Sequence, residues 1–399
     1  MSMNDRAPHR AGIAEAGNAP LIEIIRNEIA EQGGRITFAR FMELALYHPT
    51  HGYYLAAERR PGRPGDFLTA PEATPYFGLT LARQIADCWE RLGKPAPFEI
   101  REYGGGIGGL AYDIIAGLSD VAPDALAALL YRLIELNPYR RDEALAAMAD
   151  VGLAGIVVIE PPETERPPFT GVLLANEVAD AFPVHRLLIT ADSVLERYVT
   201  WRDGQFVEEA GPPSRAAQQA LEALQREDVA LPPGSVVDVS PAAADWFASA
   251  AAQIARGYAI VIDYGYPARK LYTAHRLAGT VRAYFAHTVT ENALIRVGEQ
   301  DLTAHVDFTA LQRAAETAGL TLAGFTTQGA FLASLGLGDF LLRLQQDPET
   351  TLPDYLRAQA AVLRLIDPGG LGRFGVLIMA KDAPTDPPLL GLRERPPAF

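Results

Sequence analysis

Three groups of residues in this 399-residue chain have types and spacing suited to chemistry. The first is Glu102-Tyr103-Gly104-Gly105-Gly106-Ile107-Gly108, which follows an apolar stretch containing Phe98 and Ile100 and precedes the helix-forming run Leu110-Ala111-Tyr112-Asp113-Ile114-Ile115. A strand, a tight glycine turn and a helix start bring backbone close to a nucleotide-like ligand, because glycine lacks a Cβ and tolerates positive φ. Gly104, Gly106 and Gly108 are the candidates for that contact. Downstream, Leu133-Ile134-Glu135 ends a second apolar stretch with a carboxylate able to accept both hydroxyls of a ribose. A third apolar run, Gly171–Ala175, opens into Asn176-Glu177-Val178-Ala179-Asp180. That places an amide and two carboxylates at the carboxyl end of a strand, where open α/β sheets bind ligands.

Two cofactors compete for the glycine turn. Gly104, Gly106 and Gly109 also satisfy the dinucleotide pattern G-x-G-x-x-G, so the glycines alone leave a nicotinamide dinucleotide open. Glu102 tips the balance toward S-adenosylmethionine, whose sulfonium and ammonium groups an adjacent carboxylate attracts and whose rival's pyrophosphate it repels. Glu135 suits the ribose of either. Asn176 could sense the adenine or the amino-acid part of the cofactor. Glu177 and Asp180 could pair bidentately with a guanidinium and orient one nitrogen toward the sulfonium, which fits an arginine substrate and also suits an amine.

Composition excludes several alternatives. A formal charge of −14 and the lack of a basic block argue against nucleic acid as partner. Cys88 is the only cysteine, so neither an internal disulfide nor a cysteine metal cluster is expected, and no metal site is assigned. His48 and His51 lie three apart across a proline with no suitable acid nearby. Neither a G-x-S-x-G elbow nor a Ser-His-Asp spacing supports a hydrolase. No apolar run is long enough to cross a bilayer, and the first 20 residues lack a hydrophobic signal core, so the expected location is cytoplasmic.

Apolar periodicity organises the rest. Helices are expected from Leu21 to Gly33-Gly34, from Thr37 to Tyr47 and from Pro75 to Leu92, with a Pro/Gly-rich loop over 59–66. Strands are expected at Phe98–Tyr103, Tyr131–Leu136, Gly155–Ile159, Val172–Ala175 and Ala259–Asp263, alternating with helices, as in a parallel sheet covered on both faces. His185–Thr190, Glu196–Trp201 and Gln205–Glu209 read as antiparallel strands with a hairpin at Asp203-Gly204. Thr280–His287 reads as a strand, Asp307–Ala318 as a helix, 336–366 as helical, and Phe374–Ala380 as a late antiparallel edge strand. The expected organisation is a flexible N-terminus over 1–20, a helical and lid region over 21–95, a core over 96–184 and 257–382, an inserted subdomain over 185–256 and a tail over 383–399. The insertion is the expected place for partner recognition or a homodimer contact.

Six ordered motifs between about residue 35 and residue 380 resemble one family. They are Tyr47-His48-Pro49 with Gly52-Tyr53-Tyr54; Gly65-Asp66-Phe67-Leu68-Thr69-Ala70-Pro71-Glu72; Asn176-Glu177 with Asp180-Ala181-Phe182-Pro183-Val184; Ile262-Asp263-Tyr264-Gly265; Gly279-Thr280-Val281-Arg282-Ala283-Tyr284 with His287; and Asp301-Leu302-Thr303-Ala304-His305-Val306-Asp307-Phe308. Together they resemble the MidA-like family of class I S-adenosylmethionine-dependent methyltransferases, whose mitochondrial members assist assembly of respiratory complex I. The resemblance implies a Rossmann-like, seven-stranded α/β sheet, S-adenosylmethionine as cofactor, and methylation of an arginine in a complex I-type subunit. It also implies that Asp66 and Thr69 help hold the cofactor and that Glu72 joins Glu177, Asn176 and Asp180 in catalysis; the alternative, in which Asp66 caps a turn and Thr69 or Glu72 starts the next helix, stays open. The family usually carries a Gly-Pro-Gly-Arg-Gly type turn, whereas this chain has neither the proline nor the arginine. That departure keeps a second reading alive, a catalytically weak assembly or scaffolding protein on the same fold.

Overall fold

The computed structural model describes residues 17–55, 74–273, 276–286 and 288–393. They form two compact units. One gathers the described residues of 68–180, 243–267 and 306–399; the other gathers those of 1–67, 181–242 and 268–305.

The first unit is built on seven strands: β1 (Phe98–Tyr103), β2 (Leu129–Ile134), β3 (Val157–Glu160), β4 (Phe169–Asn176), β5 (Ile254–Asp263), β6 (Thr321–Thr327) and β7 (Gly375–Lys381). Their spatial order is β6-β7-β5-β4-β1-β2-β3. β1 pairs in parallel with β2 and β4, β2 with β3, and β4 with β5, while β7 runs antiparallel to both β5 and β6. β1 therefore lies where the strand order reverses. In open α/β sheets the carboxyl ends of the strands on either side of such a reversal, here β1 and β4, are where ligands bind. This is the expected parallel α/β sheet with one antiparallel strand, although that strand sits inside the sheet rather than at its edge. The outer place belongs to β6, a strand that the sequence hid: it is largely polar or small, it carries Gly324, and its register slips between Leu322 and Gly324.

Helices α1 (Tyr76–Arg91) and α2 (Gly109–Val121) cover the sheet beside β1 and lie unusually close together. A Cβ on Gly117 would come 2.6 Å from that of Ala82, and one on Gly78 would come 2.4 Å from that of Asp113. Both glycines are contact surfaces. Phe77, Leu81, Ile85 and the free Cys88 of α1 join Leu110, Ile114 and Leu118 of α2 in a core that continues through Ile100, Leu174 and Ile260 of the strands. α3 (Pro138–Asp150) and α4 (Pro241–Ala252) follow β2 and precede β5, and α5 (Phe308–Thr317) and α6 (Gln328–Ser334) flank β6. The single helical stretch expected over 336–366 is two helices, α7 (Gly338–Gln346) and α8 (Leu352–Ile366). Asp347 stops the first by accepting the Glu349 N–H and Thr350 Oγ1, and Thr351 caps the second with Pro353 in its first turn.

The second unit has an antiparallel five-stranded sheet of Ile36–Thr37, His185–Ile189, Val194–Arg202, Gln205–Gly211 and Val236–Val239. Asp203 and Gly204 make the expected two-residue hairpin, both with positive φ (51° and 81°), which matches the twist of the strands they join. Helices Ala19–Glu31 and Phe38–Tyr47 pack Leu21, Ile25, Phe38 and Phe41 against Val199 and Phe206. The boundaries differ from the expected insertion over 185–256. Residues 243–256 belong with the seven-stranded sheet because α4 leads into β5, and 268–305 belong with the antiparallel unit, as do the helices of 19–47. Segment 280–287 is strand only over Arg282–Phe285. The N–H groups of Thr280 and Val281 donate instead to Asp238 Oδ2, at 2.5 and 3.1 Å, and Arg186 Nε donates to its Oδ1 at 3.1 Å. Among the described residues no helix is long and apolar enough to cross a membrane.

Asp238 is a buried carboxylate whose hydrogen-bond partners among the described residues are all donors, so its removal leaves Arg186 Nε and two amides without that acceptor, while the rest of the guanidinium keeps Glu208. Asp238→Ala should cost on the order of 3 kcal/mol and speed amide exchange at Thr280 and Val281; unchanged exchange at both would show that the carboxylate does not hold that loop.

Candidate active site

The glycine turn follows β1 as expected, and each of its glycines answers a different constraint. Gly104, Gly106 and Gly108 have φ of 70°, 56° and 87°, the left-handed region that side chains avoid. Space is also short: a Cβ on Gly104 would come 2.7 Å from Val178 Cγ2, one on Gly105 2.5 Å from Leu133 Cγ, and one on Gly108 2.8 Å from Met148 Cε. Gly108 is the left-handed N-cap of α2. The turn carries a helix start whose first N–H groups have no side-chain cap, a favourable setting for a polar ligand.

Glu102 and Glu135 are brought together at this turn. Glu135, at the tip of β2, accepts the Gly106 N–H through Oε2 at 3.0 Å and the Asn137 N–H through Oε1 at 2.7 Å. Those two bonds explain why β2 stops at Ile134 rather than at the expected Leu136: the carboxylate turns the chain back on itself. Glu102 is only 3% exposed and accepts the Tyr131 hydroxyl at 2.7 Å. Burial pushes its carboxyl up to about 7; the Tyr131 bond draws it down and the nearby Glu135 raises it further. Tyr131 was not singled out from the sequence, where it reads as one more apolar strand residue. Arg140 was missed as well. Its Nη1 would stand 3.2 Å from a Cβ on Gly106, so a guanidinium from the first turn of α3 lies against the loop that lacks the family's own arginine.

The third expected group sits on the neighbouring strand. Tyr103 of β1 is in register with Ala175 of β4, so Asn176 emerges beside the glycine turn. Asn176 Nδ2 donates to Glu177 Oε1 at 3.3 Å, while Asn176 Oδ1 is buried with no donor among the described residues. Glu177 has φ +53°, left-handed and uncommon for a side-chain-bearing residue. Its N–H donates to Ile262 O of β5 at 2.9 Å. Ala179–Ala181 form a 3-10 turn, and Asp180 is buried within it.

Asp263 holds this loop. Asp263, which ends one of the expected strands and belongs to one of the six motifs, is fully buried at the end of β5. Its Oδ2 accepts the N–H groups of Val178, Ala179 and Asp180 at 3.1, 2.9 and 3.2 Å, and its Oδ1 that of Tyr264 at 2.8 Å. Burial pushes its carboxyl up to about 7 against those four donors. Asp66, Thr69 and Glu72, and likewise His287, lie outside the described residues.

Comparison with known proteins places this geometry. Residues 80–326 match a family described as "Putative S-adenosyl-L-methionine-dependent methyltransferase". A Drosophila melanogaster protein named "Protein arginine methyltransferase NDUFAF7 homolog, mitochondrial" is 29% identical over 400 residues, covering 93% of this chain and 87% of the relative. The Homo sapiens "Protein arginine methyltransferase NDUFAF7, mitochondrial" is 28% identical over 350 residues, covering 81% and 75%. The crystal structure of a COG1565 superfamily member from Burkholderia thailandensis bound to S-adenosyl-homocysteine has a TM-score of 0.83 at 32% identity over 98% of both chains. The family match decides for S-adenosylmethionine over the dinucleotide and for an enzyme. The mitochondrial names of these relatives overturn the expected cytoplasmic location.

Glu102 gives a test that needs no ligand. A carboxyl raised in the folded chain binds its proton more tightly there than when unfolded, so stability is greatest below the unfolded value and falls as pH rises toward about 7. Between pH 5 and pH 8 the wild type should lose on the order of 3 kcal/mol through this group, and Glu102→Gln, which keeps an acceptor for Tyr131, should escape that loss. Parallel unfolding curves for the two chains at both pH values check this; an equal loss in the variant would refute the assignment.

Proposed function

The chain belongs to the S-adenosyl-L-methionine-dependent methyltransferase family that it matches, and from that premise we propose that it methylates an arginine side chain of a protein substrate. The observation that carries the arginine is the Asn176-Glu177 pair at the carboxyl end of β4, next to the glycine turn. The names of the relatives support the same acceptor. The substrate that the family resemblance implies is a subunit of a respiratory complex I-type assembly.

The residues present fit the cofactor. Asn176 Oδ1 is a buried acceptor awaiting a donor, and the glycine turn offers backbone that a Cβ would obstruct. Glu135 would take the ribose hydroxyls, using the carboxylate lone pairs that Gly106 and Asn137 leave. Glu102 would face the cationic end of the cofactor. Gly104, Gly106 and Gly108 would admit it, with Asp66 and Thr69 closing from the upstream motif. When bound, S-adenosylmethionine supplies a methyl group on a positively charged sulfur.

Everything else falls to the chain. Glu177, with Asp180 and Glu72 as further carboxylates, would hold the guanidinium through paired N–H···O bonds and present one nitrogen in line. As that nitrogen gains a methyl group it must shed a proton, which the Glu177 carboxylate would accept.

Transfer of radiolabelled methyl from S-adenosylmethionine to protein in a cell extract tests the reading. Glu177→Gln should slow transfer by about 100-fold or more with calorimetric affinity for S-adenosylmethionine kept, whereas Glu135→Ala should weaken that affinity itself. Label on lysine or the amino terminus instead of arginine, or full transfer by Glu177→Gln, would sink the proposal.

A further inference from the structure

The loop that carries Glu177 is gripped from both sides by two consecutive residues of β5. On its amino side, the Glu177 N–H donates to Ile262 O at 2.9 Å. On its carboxyl side, the next three N–H groups converge on Asp263 Oδ2 at 3.1, 2.9 and 3.2 Å. Successive amides converging on one anion form a nest, which fixes the direction of every peptide plane that contributes to it. Glu177 is caught between the two grips with φ +53°. A left-handed residue with a side chain persists only where its surroundings over-determine it, and here they do.

Asp263 has no second task in view. Its side chain is fully buried, and its oxygens receive four N–H groups from the described residues. A carboxylate is the side chain that suits the place, because its four hydrogen-bond partners among the described residues are all donors. An asparagine would keep one acceptor and set its own NH₂ against the amides.

We propose that Asp263 is a positioning residue for methyl transfer that acts through Glu177, by collecting the amides of Val178, Ala179 and Asp180 and so fixing the backbone from which Glu177 projects. This rests on the proposed role of Glu177 at the acceptor. Loss of the nest would let Glu177 relax out of the left-handed region and swing its carboxylate away from the guanidinium. The glycine turn would lose the Val178 contact over Gly104 but keep the Gly106–Glu135 bond and the Leu133 and Met148 contacts that also hold it.

A double-mutant cycle on the full chain tests this. Initial rates of labelled methyl transfer to extract protein, at saturating S-adenosylmethionine, are compared for wild type, Asp263→Asn, Glu177→Gln and the double variant. Asp263→Asn should slow transfer by roughly 100-fold, the scale of an ångström-sized misplacement, with the KM and calorimetric affinity for S-adenosylmethionine within about threefold of wild type. In the Glu177→Gln background the same change should cost less than about twofold more, since residues acting as one unit are non-additive. Multiplying losses, or an unimpaired Asp263→Asn, would overturn the positioning role while leaving Glu177 intact. An unimpaired Glu177→Gln would instead refute the acceptor role, and this inference with it. Should Asp263→Asn lose cofactor affinity through misfolding, Asp263→Glu, which keeps the charge but displaces it, carries the same comparison with the same deciding outcomes.

Discussion

A carboxylate that cannot reach water needs donors on every side, and at Asp263 the donors are backbone. Taking a charged group out of water costs several kcal/mol, a cost that four N–H groups of Val178, Ala179, Asp180 and Tyr264 offset in part. The constraint runs both ways. Those amides sit at the exit of β4 and the turn after β5, where the ladder no longer pairs them, and a buried N–H without a partner carries its own penalty. One side chain satisfies both needs and joins two strand ends into a single rigid edge.

From that edge the remaining site residues follow in a row. The loop that Asp263 gathers carries Val178, whose Cγ2 fills the space over Gly104 and keeps that position open only to glycine. Gly104 leads to Gly106, whose N–H is taken by Glu135. Glu135 caps Asn137, and Asn137 in turn caps α3 by accepting the N–H groups of Tyr139 and Arg140. The carboxyl ends of β5, β4, β1 and β2 are thus linked by short contacts in the order in which the strands lie side by side. The antiparallel unit uses the same device once more, with Asp238 collecting two amides of the 280–281 segment and the Arg186 guanidinium. In both places an aspartate at a strand end replaces a ladder that has run out.

Much of this was legible in the sequence, for reasons that differ by element. β1 was read to its true ends because an apolar run met a glycine turn, and both signals are local. The Asp203-Gly204 hairpin was legible because two residues with positive φ demand that chemistry. β6 was not legible: Thr321–Thr327 is largely polar or small, carries a glycine, and gains its strand character only from pairing with β7, some fifty residues on. The inner place of β7 was hidden for the same reason. Glu102, Glu135, Asn176 and Glu177 could be read as a site because polar residues at strand tips are conspicuous. Asp263 could not be given a role, since its partners are amides, and backbone groups leave no trace in a sequence. The unit boundaries failed similarly: 268–305 joins the antiparallel unit through contacts far away along the chain.

The glycine turn is held by its surroundings without the proline that the family pattern carries. A proline would have stiffened it by restricting the unfolded chain, but this turn is stiffened from outside. Leu133 closes over Gly105, Met148 over Gly108 and Val178 over Gly104, so three different elements occupy the volume around it. A cation is supplied from outside too. Arg140 projects from the first turn of α3 to Gly106, on the helix that Asn137 caps and Glu135 therefore positions. The turn itself carries no arginine, and the guanidinium beside it comes from a residue a strand and a loop away. The turn's conformation is then a property of its surroundings more than of its own residues. The departure from the family pattern is therefore no sign by itself of a lost cofactor site.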